Sequence, residues 1–333
     1  MNKTTNISII GDGGWGTTLA ILLSKKGYRV SLWGAFPDYC AKVAKKRVNW
    51  KFLSGFKIPR TVEITSDLKN ALTGKELVIF AVPSQYMREV LKKVKKSGYP
   101  KDAIYLSVTK GIEIGTLKRM SEVISSELGR VKIGVLSGPT IAHEVAKGIP
   151  TAAVVSSHDK KISSYLQNIF ITDKFRIYTN PDIIGVELGG SLKNVIAIAC
   201  GISDGMGFGT NTKAGILSRG LAEISRLGAA MGANAGTFSG LSGLGDLVTT
   251  CISNYSRNRF VGEELGKEKT LKQIGSHMQM VAEGVPTAKS AYALSKKYKV
   301  DMPITAEVYR VLYSNKPPLK AVKDLMTRKK KRE

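Results

Sequence analysis

A chain of 333 residues is long enough for two domains of ordinary size. Hydrophobic residues make up 43% and charged residues 23%, a composition that supports a large core and excludes a fibrous or disordered protein. The formal net charge of +25 is compatible with a nucleic acid, an anionic membrane surface or a small phosphorylated ligand as partner. Basic residues are spread over both halves, and only the tail 328–333 holds a dense run (RKKKR), which we expect to be mobile and solvated.

The cysteines and the apolar runs indicate the cellular compartment of the protein. Cys40, Cys200 and Cys251 are far apart, and neither they nor the three histidines show metal-ligand spacing. We therefore expect no disulfide, no metal and a reducing, cytoplasmic compartment. No stretch approaches the ~20 apolar residues that cross a bilayer, and the amino terminus lacks the pattern of a signal peptide. We accordingly predict neither a transmembrane segment nor a leader.

The amino-terminal half alternates short β-branched runs with helical segments. A strand over residues 5–10, a glycine-rich turn at 11–16 (GDGGWG), a helix over 17–26 and a strand over 28–33 form one βαβ unit. This alternation predicts an α/β fold with a Rossmann-like, mostly parallel, doubly wound sheet, whose ligands bind at the carboxyl ends of the strands. Further elements are predicted at residues 61–64, 77–82, 104–107, 132–136 and 152–155 (strands) and at 85–96 (helix).

The carboxyl-terminal half has a different composition, which is rich in Ala, Gly, Leu and Ser. Helical patterns cover residues 183–199, 214–231 and 286–298, which predicts an all-helical C-terminal domain. We place the boundary near residue 190. Residues 1–190 are predicted to be a dinucleotide-binding Rossmann domain, and residues 191–333 a helical substrate domain.

The glycine turn matches the G-x-G-x-x-G pattern in the context that gives it meaning, after a strand and at the start of a helix. Gly11 permits the tight turn, Gly13 lets a pyrophosphate approach the backbone, and Gly16 permits close packing of helix against strand. The helix amino terminus offers free N–H groups to the anion. The turn therefore favours nucleotide binding over a purely structural glycine turn.

The choice between NAD and NADP stays open at this point. An NAD site usually has an acidic residue at the end of the second strand, and residues 33–37 (WGAFP) contain none. No arginine follows directly to hold a 2′-phosphate, although Lys42, Lys45, Lys46 and Arg47 come soon after. This pattern favours acceptance of NADPH without deciding the preference.

Three further strand ends carry candidate ligands. Ser84 follows a Val-Pro turn and fits either a cofactor contact or an ordinary helix cap. Lys110 stands at a strand end beside Gly111, where a functional lysine is favoured over a solvated one. The turn at 137–140 (SGPT) directs backbone N–H groups and Thr140 at the same edge of the sheet.

Two polar clusters stand out in the helical half. Lys193 and Asn194 lie in a small, apolar helix where the nearest acid, Glu187, is on another face. A lysine held among apolar side chains gives up its proton more easily and suits proton transfer, but a surface lysine remains the alternative. Asn254 and Ser256 are good caps for a helix that starts at Arg257, and this helix start suits either a phosphate or plain capping.

Taken together, these motifs resemble those of bacterial NAD(P)-dependent glycerol-3-phosphate dehydrogenases. The resemblance covers about residues 5–315 in the order of the family. The motifs that carry it are GDGGWG at 11–16, VPS at 82–84, TKG at 109–111, SGPT at 137–140, GVELGGSLKNV at 185–195, GLGDL at 243–247 and SRNR at 256–259.

The resemblance implies reversible hydride transfer between NAD(P)H and dihydroxyacetone phosphate, giving sn-glycerol 3-phosphate for phospholipid synthesis, in a homodimer without specific nucleic-acid partner. Lys193 and Lys110 are the implied catalytic residues, converging from separate domains on the middle carbon of the triose. The implied substrate-binding residues are Lys110, Gly138, Thr140, Lys193, Asp246, Ser256, Arg257 and Asn258. The implied cofactor-binding residues are Gly11, Gly13, Gly14, Trp15, Gly16, Lys110, Ala142, Arg257, Val281 and Glu283.

Two departures from the family pattern bear on the cofactor. Ala35 stands where many members have Arg or His, which weakens selection for NADP. Asp12 lies inside the glycine turn where a small neutral residue is usual, so its carboxylate must point away from the pyrophosphate.

Two other hypotheses about the function are also compatible with the sequence. A related Rossmann dehydrogenase acting on a hydroxy acid would also use a lysine beside an asparagine. A basic protein that binds nucleic acid or a membrane surface would account for the charge of +25, but not for the glycine turn.

Overall fold

The structure is a computed structural model that describes residues 5–278, 281–330 and 332. The chain forms two compact units. The first consists of Met1–Lys110 and Lys118–Glu187, and the second of Gly111–Leu117 and Leu188–Glu333. The chain passes from one unit to the other between Glu187 and Leu188, and the composition gave no sign that the segment 111–117 belongs with the helical half.

Hydrogen bonds within the second unit account for that segment. Ser191 Oγ donates to the Gly111 carbonyl (3.3 Å) and Ser290 Oγ donates to the Ile112 carbonyl (3.1 Å). Ile112 is fully buried. Contacts made far away in the sequence therefore set the membership of this short segment.

The first unit is built on one large sheet. Ten strands occur in the part of the chain that the structure describes, and eight of them form this sheet. Its strands are β1 Asn6–Ile10, β2 Arg29–Trp33, β5 Val62–Thr65, β6 Leu77–Phe80, β7 Ile104–Ser107, β8 Lys132–Ser137, β9 Thr151–Ser156 and β10 Phe175–Asn180. The other two, β3 Val48–Asn49 and β4 Leu53–Lys57, pair as a separate antiparallel hairpin.

Strand β1, which leads into the glycine turn, lies in the interior of the sheet between β6 and β2. The strand order is β10, β9, β8, β7, β6, β1, β2, β5, and all neighbours are parallel except β8 and β9. All four residues of β6 are buried, as expected for a strand covered on both faces. The α/β fold with a mostly parallel, doubly wound sheet is confirmed. Strand β10 was not predicted, although its alternation of buried and exposed residues is the period-two pattern of a half-buried strand.

Seven helices complete the first unit within the described residues. Two of them have an aspartate cap: Asp159 accepts from the backbone N–H of Lys161 at the start of α7, and Asp67 accepts from the backbone N–H of Asn70 at the start of α3. These helices are α1 Gly14–Lys25, α2 Pro37–Lys46, α3 Leu68–Leu72, α4 Met87–Ser97, α5 Met120–Leu128, α6 Ala142–Lys147 and α7 Lys160–Phe170.

The second unit is helical, as predicted. In the described residues its helices, starting with one that begins in the first unit, are α8 Ile183–Gly205, α9 Thr210–Ala230, α10 Asp246–Ile252, α11 Arg257–Gly266, α12 Leu271–His277, α13 Gly284–Lys297, α14 Pro303–Tyr313 and α15 Pro318–Met326. A short π-helical turn, Leu241–Gly245, leads into α10. In the tail, residues 331 and 333 lie outside the described residues, while Arg328 donates to the Asp301 carboxylate.

Helix α8 is long and apolar enough to cross a membrane by composition alone. However, 89% of its most apolar window is buried inside the protein. A core helix passes the same test, so this finding does not indicate a membrane span. Among the described residues no other helix meets the criteria of length and hydropathy.

Helices α8 and α11 approach each other through glycines. A Cβ atom at Gly201 or Gly205 would collide with backbone atoms of α11, and one at Gly262 or Gly266 would collide with backbone atoms of α8. Only glycine permits this close approach. The contact brings Asn194 of α8 against the start of α11, where the candidate substrate ligands lie.

Candidate active site

The glycine turn has the geometry expected of an anion site. Gly11 has φ +120°, and a Cβ there would meet the backbone of Ala81 at 2.8 Å. A Cβ at Gly16 would overlap the Gly11 carbonyl, whereas Gly13 faces open space. Helix α1 begins directly after Gly13 with no side-chain cap and no acid in its first turn. Its first N–H groups thus have no side-chain cap, as is typical of a helix start that binds an anion.

Asn49 of the β3–β4 hairpin braces this turn. Its Nδ2 donates to the Asp12 carbonyl and to Thr17 Oγ1, each at 2.7 Å. Asn49 is fully buried, so these bonds are shielded from water. This role was not predicted, because nothing near residue 49 in the chain points to the glycine turn.

Trp15 and Ala142 lie beside the same turn. Thr18 Oγ1 donates to the carbonyls of Gly14 (2.9 Å) and Ala142 (3.1 Å), which joins the starts of α1 and α6. Trp15 packs edge-on against Phe175, and its buried Nε1 has no hydrogen-bond partner among the described residues. A buried donor without a partner is costly, and a bound dinucleotide would offer it polar atoms. The residues present therefore fit the cofactor that the turn implies.

Asp12 directs its carboxylate to the end of the second strand. Its Oδ2 accepts from Cys40 Sγ at 3.9 Å, and a Cβ built on Gly34 would collide with this carboxylate. Burial raises the pKa of Asp12, against smaller lowering effects of its backbone N–H and the thiol. Burial, with the Asp12 charge adding to it, also raises the pKa of Cys40 to about 11.

Lys110 forms a cluster with the turn after β8. Its Nζ donates to the Gly138 carbonyl (2.8 Å) and to Thr140 Oγ1 (3.2 Å), and Thr140 Oγ1 donates to the same carbonyl (3.1 Å). Gly138 has φ +128°, which only glycine adopts without strain. The structure thus brings together three predicted site residues of the first unit. Ser84 opens a short 3₁₀ turn, whose N-cap residue is Pro83, and is buried.

Lys193 is buried in the second unit, at 5% relative exposure, so the surface alternative is excluded. Its Nζ donates to Asp246 Oδ1 at 2.6 Å and to the Thr250 hydroxyl. The expectation that Lys193 is held among apolar side chains is wrong, because α10 supplies a carboxylate. Glu187 is engaged elsewhere, accepting hydrogen bonds from Arg119 and Ser121.

A chain of amide hydrogen bonds lies alongside. Asn258 Nδ2 donates to Asn194 Oδ1 (2.9 Å), and the Gly284 N–H donates to Asn258 Oδ1 (2.8 Å). Both asparagines are buried, and a Cβ at Gly284 would meet the Asn194 carbonyl at 2.5 Å. The start of α13 is therefore held on α8 and α11.

The start of α11 carries the predicted anion ligands. Ser256 caps the helix by accepting from the Arg259 N–H (3.2 Å). Arg257 is exposed and donates to the Val281 carbonyl (2.8 Å), which places it beside the segment that leads to Glu283. Arg259, the second arginine of the motif, is instead engaged by Asp204 (2.6 Å) and Asn254 (3.0 Å).

Thr250 and Asn194 were not among the predicted site residues. Thr250 lies four residues after Asp246 on α10, so both side chains share one helix face. The spacing of four residues could therefore have predicted Thr250 as a neighbour of Asp246. Asn194 was noted beside Lys193, but its pairing with Asn258 depends on how α8 and α11 pack.

Comparison with known proteins decides the family. The family described as NAD-dependent glycerol-3-phosphate dehydrogenase matches with its N-terminal part at residues 6–163 and its C-terminal part at residues 182–323. The chain belongs to this family. The resemblance inferred from the motifs is thereby confirmed, as is the class of enzyme, an oxidoreductase that uses NAD or NADP.

Relatives match along nearly the whole length of this dehydrogenase family member. A glycerol-3-phosphate dehydrogenase (NAD(P)+) of Prosthecochloris aestuarii is 50% identical over 98% of this chain and 99% of its own. One from Thermoanaerobacter sp. is 49% identical over 98% of each chain. A crystal structure of glycerol-3-phosphate dehydrogenase from Coxiella burnetii is 38% identical, with a TM-score of 0.94 over 98% of this chain and 99% of that one.

The hydroxy-acid alternative is represented only by a shared fold. A D-mandelate dehydrogenase structure with NADH and anilino(oxo)acetate is 12% identical to this chain, with a TM-score of 0.62. It covers 96% of this chain and 100% of that one. An identity this low shows the architecture and nothing about the substrate.

Proposed function

We propose that this chain interconverts dihydroxyacetone phosphate and sn-glycerol 3-phosphate, with NAD(P)H as the reductant. The observation that carries the mechanism is the buried Lys193, whose Nζ lies on a carboxylate and a hydroxyl of α10. A buried ammonium group with a fixed direction is what a carbonyl reduction needs as its proton donor.

The chemistry divides between the chain and its cofactor. When bound, NAD(P)H supplies the hydride that the carbonyl carbon of the ketone takes up. Lys193 donates the proton that converts the carbonyl oxygen to the hydroxyl, and in the reverse direction it accepts that proton. Asp246 stabilises the ammonium form, and together with Thr250 it holds the Nζ in place. We assign Asp246 to positioning Lys193, because a carboxylate repels a phosphate.

In this proposal, the start of α11 holds the phosphate of the substrate. Arg257 supplies a guanidinium group that can pair with two phosphate oxygens. Ser256 and Asn258 flank it at a helix amino terminus, which attracts anions. Binding energy from the phosphate fixes the distant carbonyl for reaction.

The first unit serves as the dinucleotide-binding domain in this proposal. The glycine turn with Gly14 and Trp15 takes the pyrophosphate side, with Ala142 packed beside it, and Lys110 with Gly138 and Thr140 contributes polar contacts at the substrate end. We assign Val281 and Glu283 to the cofactor from the resemblance to the family.

Replacing the proton donor tests this function. Lys193→Met should lower kcat for dihydroxyacetone phosphate reduction by about 10²–10⁴-fold, the usual contribution of a positioned acid. The affinity for NADH, measured by calorimetry, should stay within about twofold because Lys193 lies outside the glycine turn. The exposed Lys320→Met serves as the matched control with unchanged activity. Near-normal turnover in Lys193→Met would remove this residue from the mechanism.

The phosphate site has its own test. Arg257→Ala should raise KM for dihydroxyacetone phosphate by about 10-fold or more, since one charged hydrogen-bonding partner is lost. Its effect on kcat should be smaller. An unchanged KM would place the phosphate elsewhere.

We further propose a cytoplasmic homodimer that supplies phospholipid synthesis and has no specific nucleic-acid partner. The buried location of α8 and the three free cysteines support the cytoplasmic location, while the dimer and the role in phospholipid synthesis follow from the resemblance to the family. Sedimentation equilibrium of the purified chain should give twice the monomer mass of 36.0 kDa. A monomer at micromolar concentration would contradict the dimer.

A further inference from the structure

We propose that Asp12 makes the enzyme select NAD(H) over NADP(H), by placing a carboxylate where the protein contacts the 2′ position of the adenosine ribose. The inference deepens the proposed function and depends on its dinucleotide site. Rossmann domains specific for NAD usually have an acidic residue about 20 residues beyond the glycine motif, which binds the ribose 2′-hydroxyl. This chain lacks one in residues 33–37.

Gly34 is the residue at that strand end. It follows β2 directly and is buried, and its N–H donates to the Thr65 carbonyl of the neighbouring strand (3.1 Å). A Cβ built on Gly34 would collide with the Asp12 carboxylate and with Cys40 Sγ. The carboxylate of Asp12 therefore occupies the space that a side chain at position 34 would take. The acid that is missing from the end of β2 is thus replaced by Asp12 of the glycine turn.

The position of this carboxylate is held by the surrounding chain. Asn49 fixes the Asp12 backbone by donating to its carbonyl (2.7 Å), and Cys40 Sγ donates to Oδ2. Both partners are buried. A carboxylate fixed at this point accepts a hydrogen bond from a 2′-hydroxyl but repels a 2′-phosphate, and partial burial reduces the screening of that repulsion.

Two of the four cations that follow β2 are engaged by other groups. Arg47 is committed to backbone oxygens, with its guanidinium donating to the Pro59 and Val62 carbonyls. Lys46 lies over the Trp50 ring, with its Nζ 4.9 Å from the centroid. Ala35 carries no charge where an arginine would hold a 2′-phosphate. In this proposal Asp12 supplies the acid that the end of β2 lacks, so the preference is for NADH rather than for NADPH.

Asp12→Asn tests the proposal, because it removes the charge while keeping the shape. Dissociation constants for NADH and NADPH, measured by calorimetry or tryptophan fluorescence, are the primary readout, and kcat/KM with each cofactor is the second. The wild type should bind NADH at least 10-fold more tightly than NADPH. In Asp12→Asn this ratio should fall at least fivefold, mainly through tighter binding of NADPH. Asp38→Asn, which neutralises an exposed carboxylate on α2, should leave the ratio within twofold.

The outcomes separate the two proposals. A wild-type ratio below 10, or a fall of less than fivefold in an Asp12→Asn variant with wild-type thermal stability, would overturn the role of Asp12. If Asn disturbs the fold, Asp12→Ala, which has the small neutral residue usual in the family, gives the same comparison of binding constants. Failure of the wild type to oxidise either cofactor with dihydroxyacetone phosphate would instead contradict the proposed reaction, while the binding ratio would still decide the role of Asp12.

Discussion

Lys193 shows how strongly the chemistry of one side chain depends on a distant partner. Its own helix offers small and apolar neighbours, yet Asp246 and Thr250 of α10 both contact its Nζ. An isolated buried ammonium group would be very unfavourable, and the carboxylate offsets that cost. The reactive group is thus an ion pair with a fixed direction.

Asp246→Asn should separate positioning from proton transfer. Loss of the carboxylate leaves Lys193 in place but removes the charge that stabilises and orients its ammonium group, so kcat should fall by about 10–100-fold, less than in Lys193→Met. Steady-state kinetics and the pH profile of kcat are the measurements, and the pH profile should shift only if Asp246 acts through Lys193. Glu268→Gln, an exposed acid of the same unit, is the control. A variant with wild-type kinetics would show that the pair is merely structural.

Sequence motifs predicted some residues of the candidate site but not others. Lys110, Gly138 and Thr140 were inferred at separate strand ends, and a parallel sheet places such ends along one edge. They do lie together. Asn49 could not be inferred in this way, because it acts through a partner that only folding brings near.

At the scale of elements, the second unit depends on the packing of α8 against α11. Four glycines remove the side chains that would hold these helices apart. Their spacing of four residues within each helix puts them on one face. Asn194 and Asn258, which flank this contact, owe their hydrogen bond to it.

Gly262→Ala should therefore damage both stability and activity. Its Cβ would collide with backbone atoms of α8, and overpacking of this kind costs about 1–3 kcal/mol. Displacement of α11 should also weaken substrate binding, because Ser256, Arg257 and Asn258 move with it. Chemical denaturation and KM for dihydroxyacetone phosphate are the measurements.

Gly215→Ala is the matched control for that prediction. Gly215 lies in helix α9 with no atom within 4 Å of an added Cβ. Alanine there should be neutral or stabilise by about 0.5–1 kcal/mol, since it favours the helix more than glycine does. Equal effects of the two substitutions would refute the role assigned to the α8–α11 contact.

At the scale of the whole molecule, the charge of +25 is the most unusual property. Both the dinucleotide and the triose phosphate are anions, so a positive field raises their local concentration. The same field is screened by salt, with a Debye length of about 10 Å at 0.1 M ionic strength and about 3 Å at 1 M.

Raising NaCl from 50 to 500 mM should increase KM for dihydroxyacetone phosphate by about 3–10-fold while kcat changes little. The unphosphorylated dihydroxyacetone provides the control, because its kcat/KM should be almost independent of salt. Equal salt dependence of both substrates would show that the field plays no part in binding.

The sequence by itself determined the βαβ unit, the parallel sheet, the helical second half and the family. These follow from local rules, since hydrophobic periodicity and glycine sterics act over a few residues. Only the tertiary structure decided that Asp246 pairs with Lys193, that Asp12 fills the space beside Gly34, and that the segment 111–117 joins the second unit. Such contacts join residues far apart in the chain, and they depend on how whole elements pack rather than on any pattern within one of them.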